Sequence, residues 1–192
     1  MWGKDLLGVA RAVLLDKSGA MKIAGGSLAE AAKAGRLFSV ANQSGVTTTA
    51  ALATTWTGLG VGNPLASKKN YIFHEFGWAP VAVMNTEGAF GLMHGTIGDM
   101  AQAIVPVCAK IGAANSAALA DNGATVGTPV LLRVFGASME GALSTVPSLN
   151  GAVYDLKGGI VIPPGQALLS YTFAIQTTSI IFHFVWEEED IP

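Results

Sequence analysis

Charged side chains are scarce in this chain, and two long stretches have none. Residues 38–67 and 158–186 contain no Asp, Glu, Lys or Arg. The charged fraction is 12%, against about 25% in an ordinary soluble domain. Free-standing proteins cover themselves with these residues. A chain that does without them sits in lipid or hides much of its surface against copies of itself. Cysteine is nearly absent too. Cys108 stands alone, which excludes an intrachain disulfide and Cys-x-x-Cys metal chemistry. No basic excess is present either: eleven bases oppose thirteen acids, a net charge of -2, so the electrostatic footprint for nucleic acid is missing.

Four of the thirteen acids form one run, Glu187 to Asp190. Without that run the body is close to neutral, with an acidic tag at its end. Gathered by symmetry, such tags would hold calcium or meet a basic partner. Taken singly, the run reads as a solvated tail that stops the last strand from extending into aggregates. The apolar stretch 6–15 is interrupted by Arg11 and followed by Asp16 and Lys17 rather than by a small-residue cleavage pattern, so no signal peptide is expected. Residues 167–186 are long enough for a membrane span of about 20 residues. They carry Gln176, Thr177, Thr178 and Ser179 at their middle, where a spanning helix is most apolar. Two strands joined by a polar turn fit better, and the chain reads as soluble, with no membrane partner.

With 51% apolar residues over 192 positions, the chain has enough for one sizeable core. Its first 35 residues differ from the rest. Leu6, Leu7, Val9, Val13, Leu14 and Leu15 show helical spacing. Ser27 and Glu30 form a capping box for a brief helix over 28–34, closed by Gly35. Residues 1–35 therefore read as an N-terminal arm and 36–192 as the main domain. The arm either docks on a neighbour or packs on its own domain. Trp2, with Leu6 and Leu7, is the candidate docking surface.

From Arg36 the texture turns to Gly, Thr, Val and aromatics, the mark of strands with frequent turns. Strands are predicted over 37–41, 46–54, 71–76, 81–84, 89–94, 130–135, 160–162, 167–175 and 179–186. Exposed loops are predicted at Asn63–Pro64, at 68–70 and over 115–127. Asp99 and Gln102 suggest a short helical turn, with 104–111 extended as the alternative because of Pro106. In the last strand Ile180, Phe182, Phe184 and Trp186 share a wholly apolar face that must be buried. Roughly eight to ten strands without βαβ alternation indicate an antiparallel sandwich or barrel.

Two segments carry a resemblance to a known family. The run Gly158-Gly159-Ile160-Val161-Ile162-Pro163-Pro164-Gly165, followed by two strands, resembles the end of jelly-roll proteins. Gly35-Arg36-Leu37-Phe38-Ser39-Val40-Ala41-Asn42-Gln43 resembles the opening of small virion proteins of tailed phages. That resemblance covers residues 36–186 and implies an all-β antiparallel jelly-roll sandwich, here with a short helical N-terminal arm. It also implies a homotrimer that cements or decorates a capsid lattice, with the major capsid protein as partner. The place implied is the capsid exterior, after synthesis in the host cytoplasm. No functional residue is carried over. A metal-binding cupin, which shares the fold, is disfavoured: no His-x-His pair exists, and Leu168 stands where the ligand His would follow the Pro-Gly turn.

Other constellations are weak. Gly58, Gly60 and Gly62 lack the further glycine of a dinucleotide fingerprint, since Asn63 stands there, and Leu65 breaks a P-loop spacing. Gly136 and Gly141 are one residue too far apart for a nucleophile elbow. These glycines read as turns and bulges. His74, His94 and His183 are read as single structural histidines ahead of a metal site or proton switch. Glu75, Glu87 and Glu140 are the candidate pair-formers for a glycosidase, with nothing to show their separation. Trp56, Trp78 and Trp186 are core residues or, in a phage tail, fibre or baseplate module, a glycan-stacking platform. No catalytic residue, cofactor or metal ligand is expected, and no enzymatic activity.

Overall fold

The computed structural model describes residues 28–81, 84, 86, 88–138 and 151–191, and the backbone alone for 2–4 and 10–12. Its elements are β1 (Trp2–Lys4), β2 (Ala10–Ala12), α1 (Leu28–Lys33), β3 (Leu37–Ala41), β4 (Thr55–Gly62) and β5 (Lys69–Pro80). They continue as β6 (Gly88–Ile97), β7 (Val107–Cys108), β8 (Leu119–Ser138), β9 (Ala152–Ile162), β10 (Gln166–Thr172) and β11 (Ile180–Asp190). Every strand pairing is antiparallel.

Two sheets form the body. One has the order β7-β3-β11-β5-β9, and the other is the closed set β10-β4-β8-β6. Each successive strand from β3 to β11, the short β7 included, crosses to the other sheet. The orders β3-β11-β5-β9 and β4-β10-β6-β8 are those of a jelly roll, two interlocked Greek keys. The expected all-β sandwich with a short N-terminal helix is the fold observed.

The core lies between the sheets. Ile180, Phe182, Phe184 and Trp186 of β11 are fully buried there against Phe73 and Phe76 of β5. Phe73 and Phe184 meet edge to face at 5.6 Å, while Trp78 of β5 stacks flat on Phe90 of β6 at 4.1 Å. A second apolar cluster, with Trp56, Met93, Met100, Val126, Leu169 and Tyr171, buries the other side of the closed sheet. β10 is therefore buried on both faces, which is why residues 167–169 form an uninterrupted apolar run.

Turn chemistry follows the residues. Pro164 and Gly165 occupy the middle of the turn between β9 and β10, where Gly165 takes φ +84° and Gln166 donates its N–H to the Pro163 carbonyl at 3.3 Å. A proline followed by a left-handed glycine is the type II pattern. Gly35, at φ +73°, closes α1 as predicted.

Several expectations are corrected. Residues 46–54 form no strand; only Val46 bridges, to Ile180. Thr48 donates its N–H to the Gln176 carbonyl at 3.1 Å, and its hydroxyl bonds Thr172 at 2.6 Å and accepts the Gln176 N–H, so side-chain bonds supplement isolated main-chain ones where no regular ladder forms. The strand lies at Thr55–Gly62, among glycines that read as turns. Gly60 has a packing role: a Cβ there would come within 3.1 Å of the Trp56 ring. The predicted loop over 115–127 contains the start of β8, where Ala118 and Ala120 are fully buried. Asn63, expected in an exposed loop, is buried and donates to the Lys69 and Ile162 carbonyls at 2.8 and 2.9 Å. Lys69 and Asn70 belong to β5, not to a loop. No helix forms at Asp99; its carboxylate accepts the Thr125 N–H. The predicted strand over 81–84 is not continued at Val81, because β5 ends at Pro80. The helical spacing of residues 6–15 is overruled at Ala10–Ala12, which pair with Trp2–Lys4 as a hairpin.

Candidate interaction surface

The acidic run is no tail. Glu187 to Asp190 continue β11 and pair with β5 down to Lys69. Strand alternation sends Glu188 to the buried side and Glu187 to the outer face. The Glu188 carboxylate accepts hydrogen bonds from Lys69 Nζ at 2.9 Å and from the Ser116 hydroxyl. It thereby ties the loop before β8 to the end of the sheet. Tyr71 lies fully buried beside it. Burial first, and the Glu188 charge second, push the Tyr71 hydroxyl above the ordinary tyrosine range.

On the outer face, a bulge places His74 and Glu75 opposite β11, where Val185 pairs with Glu75 and Trp186 with Phe73. His183 Nε2 lies 2.7 Å from the Glu75 carboxylate. His74 Nε2 is 3.7 Å from Glu187, too far for a hydrogen bond, and Arg36 meets Glu187 at 3.0 Å. The facing strand β9 bulges out over Leu156–Gly159, where Lys157 and Gly158 are left-handed and Asp155 accepts the Lys157 N–H at 2.9 Å.

His94 belongs to β6, in the closed sheet, and takes part in neither pair. It lines a separate cleft of about 400 Å³ with Leu132, Arg133, Gly159, Val161 and Gln166. The three histidines are therefore not brought together, and among the described residues no group of three His, Cys, Asp or Glu is placed to hold a metal. Glu75 is bonded to His183, while Glu87 and Glu140 lie outside the described residues. Cys108 is buried in the core.

Trp56, Trp78 and Trp186 are all buried, so none offers a face for stacking a sugar. Trp56 donates its indole N–H to the Ser170 carbonyl at 2.9 Å. Of the candidate docking residues, Trp2 is described by its backbone alone, in β1, and Leu6 and Leu7 lie outside the described residues.

Sequence reasoning missed where the apolar surface lies. Val130, Leu131, Leu132 and Val134 of β8 are 45, 40, 41 and 53% exposed, and Val153 and Val161 of the neighbouring β9 are more than half exposed. The first half of β8 pairs with β4, but from Val126 onward its recorded partner is β6 alone. The signal was present in Val130 to Val134, since a strand apolar at consecutive positions needs cover on both faces. On the opposite flank of the five-stranded sheet, Val105 and Val107 are 52 and 50% exposed. They line a groove of about 350 Å³ together with Ser39, Ala41, Gln43 and His183. Among the described residues no helix is long and apolar enough to cross a membrane. No family model, curated protein or solved structure matches the chain.

Proposed function

We propose that this protein is a structural virion protein, a jelly-roll homotrimer that cements or decorates the capsid lattice of a tailed phage. One observation carries the reading. A charge-poor jelly roll leaves Val130, Leu131, Leu132 and Val134 on one flank, and Val105 and Val107 on the other, about half exposed, and apolar surface of this kind belongs in interfaces. Jelly rolls are a recurrent capsid architecture, and obligate interfaces resemble a core cut in half.

In this reading the action is mechanical, not catalytic, with no cofactor. Apolar flanks bury against sister subunits, and the trimer spans neighbouring copies of the major capsid protein on the capsid exterior. The alternative, a tail, fibre or baseplate module that recognises glycans, loses its stacking platform, because Trp56, Trp78 and Trp186 are interior.

The test is co-sedimentation of the purified chain with shells assembled from the major capsid protein of the same genome. Saturable binding, with the chain bound in threes, is the expected result. Failure to bind shells of every maturation state would reject the cement role.

A further inference from the structure

We propose that the cleft beside His94 is a binding site for a small carboxylate that carries an apolar body. The site lies within one subunit; it goes beyond the virion reading and does not depend on it.

The cleft opens where the two sheets part. The closed sheet gives it His94 of β6, Leu132 and Arg133 of β8 and Gln166 of β10. Residues 159–162 of β9, the end strand of the other sheet, form the facing wall.

His94 continues a core row. Phe90 and Leu92 precede it on β6, and Leu168 stands opposite it on β10; all three are buried between the sheets. Strand alternation turns the imidazole toward that same interior, at its mouth, where it is partly buried. Arg133 reaches the mouth from β8, where it is the register partner of Leu92. Its guanidinium spans to β9, since a Cβ on Gly159 would lie 3.4 Å from Nη2. The bare backbone at Gly159 leaves that guanidinium its room.

These polar groups have no partner within the fold. Among the described residues no carboxylate pairs with Arg133, and neither His94 nor Gln166 makes a side-chain hydrogen bond. No acid lines the cleft to compete for them.

Their chemistry selects the ligand. A guanidinium offers a carboxylate two parallel N–H donors, and the imidazole and the Gln166 amide add further donors. The walls are apolar: Ile160 and Ile162 belong to the core, and Leu132 and Val161 are about half exposed. An inorganic anion would satisfy the donors and leave those walls wet. The volume of about 400 Å³ is in the lower part of the ligand-site range of about 300–1,000 Å³. It suits a carboxylate with one ring or one branched chain.

The test is an NMR titration of the full chain with phenylacetate. Phenylethanol, which lacks the charge, and acetate, which lacks the ring, are the controls. Phenylacetate should move the His94 ring resonances saturably and bind at least about tenfold tighter than either control. Arg133→Ala should weaken phenylacetate about tenfold and leave phenylethanol unchanged, with wild-type native mass and unfolding temperature. Arg133→Lys keeps the charge but loses the paired donors, so it should restore only part of the binding. The comparison of acid with alcohol uses the wild type and stands whether or not the variants fold. The site is overturned if phenylethanol binds as tightly as phenylacetate, or if phenylacetate moves no His94 resonance. Equal binding of phenylacetate to folded Arg133→Ala and to the wild type overturns it as well.

Discussion

The His183 ring lies across the Cα of Gly77 so closely that a Cβ at Gly77 would come within 2.0 Å of its Cε1. The two residues are register partners on β11 and β5. The missing side chain at one is what lets the other lie flat and reach Glu75 at 2.7 Å. Gly77→Ala should therefore push the imidazole off the sheet and break that contact. The expected cost is below about 1 kcal/mol, less than for overpacking a core, because the imidazole is partly exposed and free to swing outward. Thermal unfolding measures the loss, and the His183 ring resonances should move. Unchanged resonances in a folded variant would reject this packing.

Asn42 finishes what β3 leaves undone. Just past the strand's end, its side-chain oxygen accepts the Phe182 N–H at 2.6 Å, and its amide donates to the Ile180 carbonyl at 3.0 Å. Asn42→Ala should leave the buried Phe182 N–H unpaired, costing about 1–3 kcal/mol, while the Ile180 carbonyl keeps the Val46 N–H at 2.9 Å. Denaturant melts should show a lower midpoint with an unchanged slope. Hydrogen exchange should rise at Phe182 first.

Phe184 is fully buried and touches the rings of both Phe73 and Phe76. Phe184→Ala should cost about 3–5 kcal/mol, and Phe184→Asp, which would bury a charge there, should prevent folding. A soluble Phe184→Asp chain with wild-type thermal stability would show the strand register to be wrong.

Tyr71 makes stability fall on the alkaline side. Its proton is held more tightly in the folded state than in the unfolded one, through burial and the adjacent Glu188. The stabilising difference is complete below the ordinary tyrosine pKa of about 10. Above that value the unfolded chain ionises first, and stability is lost as pH rises. Tyr71→Phe should flatten the decline in unfolding temperature above pH 10 relative to wild type. An equally steep decline in both would assign the effect elsewhere.

The last strand was legible in the sequence because apolar residues alternate without a break from Ile180 to Trp186, and burial of one face demands that pattern. The turn at Pro164–Gly165 was legible because both residues restrict the backbone strongly. β4 and the start of β8 were not. Their glycines and alanines have low strand propensity, and they are held as strands by the Trp56 cluster, a tertiary effect. The acidic run misled for a related reason: its fit into β11 depends on Lys69 and Ser116, distant in sequence, and on the alternation that sends Glu188 inward. The apolar flanks escaped notice because a sequence shows which strands are apolar without showing which neighbours cover them.

The most direct test of the account is the native mass of the full chain, measured by light scattering over a wide dilution series. A constant mass near 59 kDa, three times the 19.7 kDa chain, is the predicted result. A stable, soluble monomer of 19.7 kDa at every concentration would contradict it, because the open valine and leucine flanks would then need no partner.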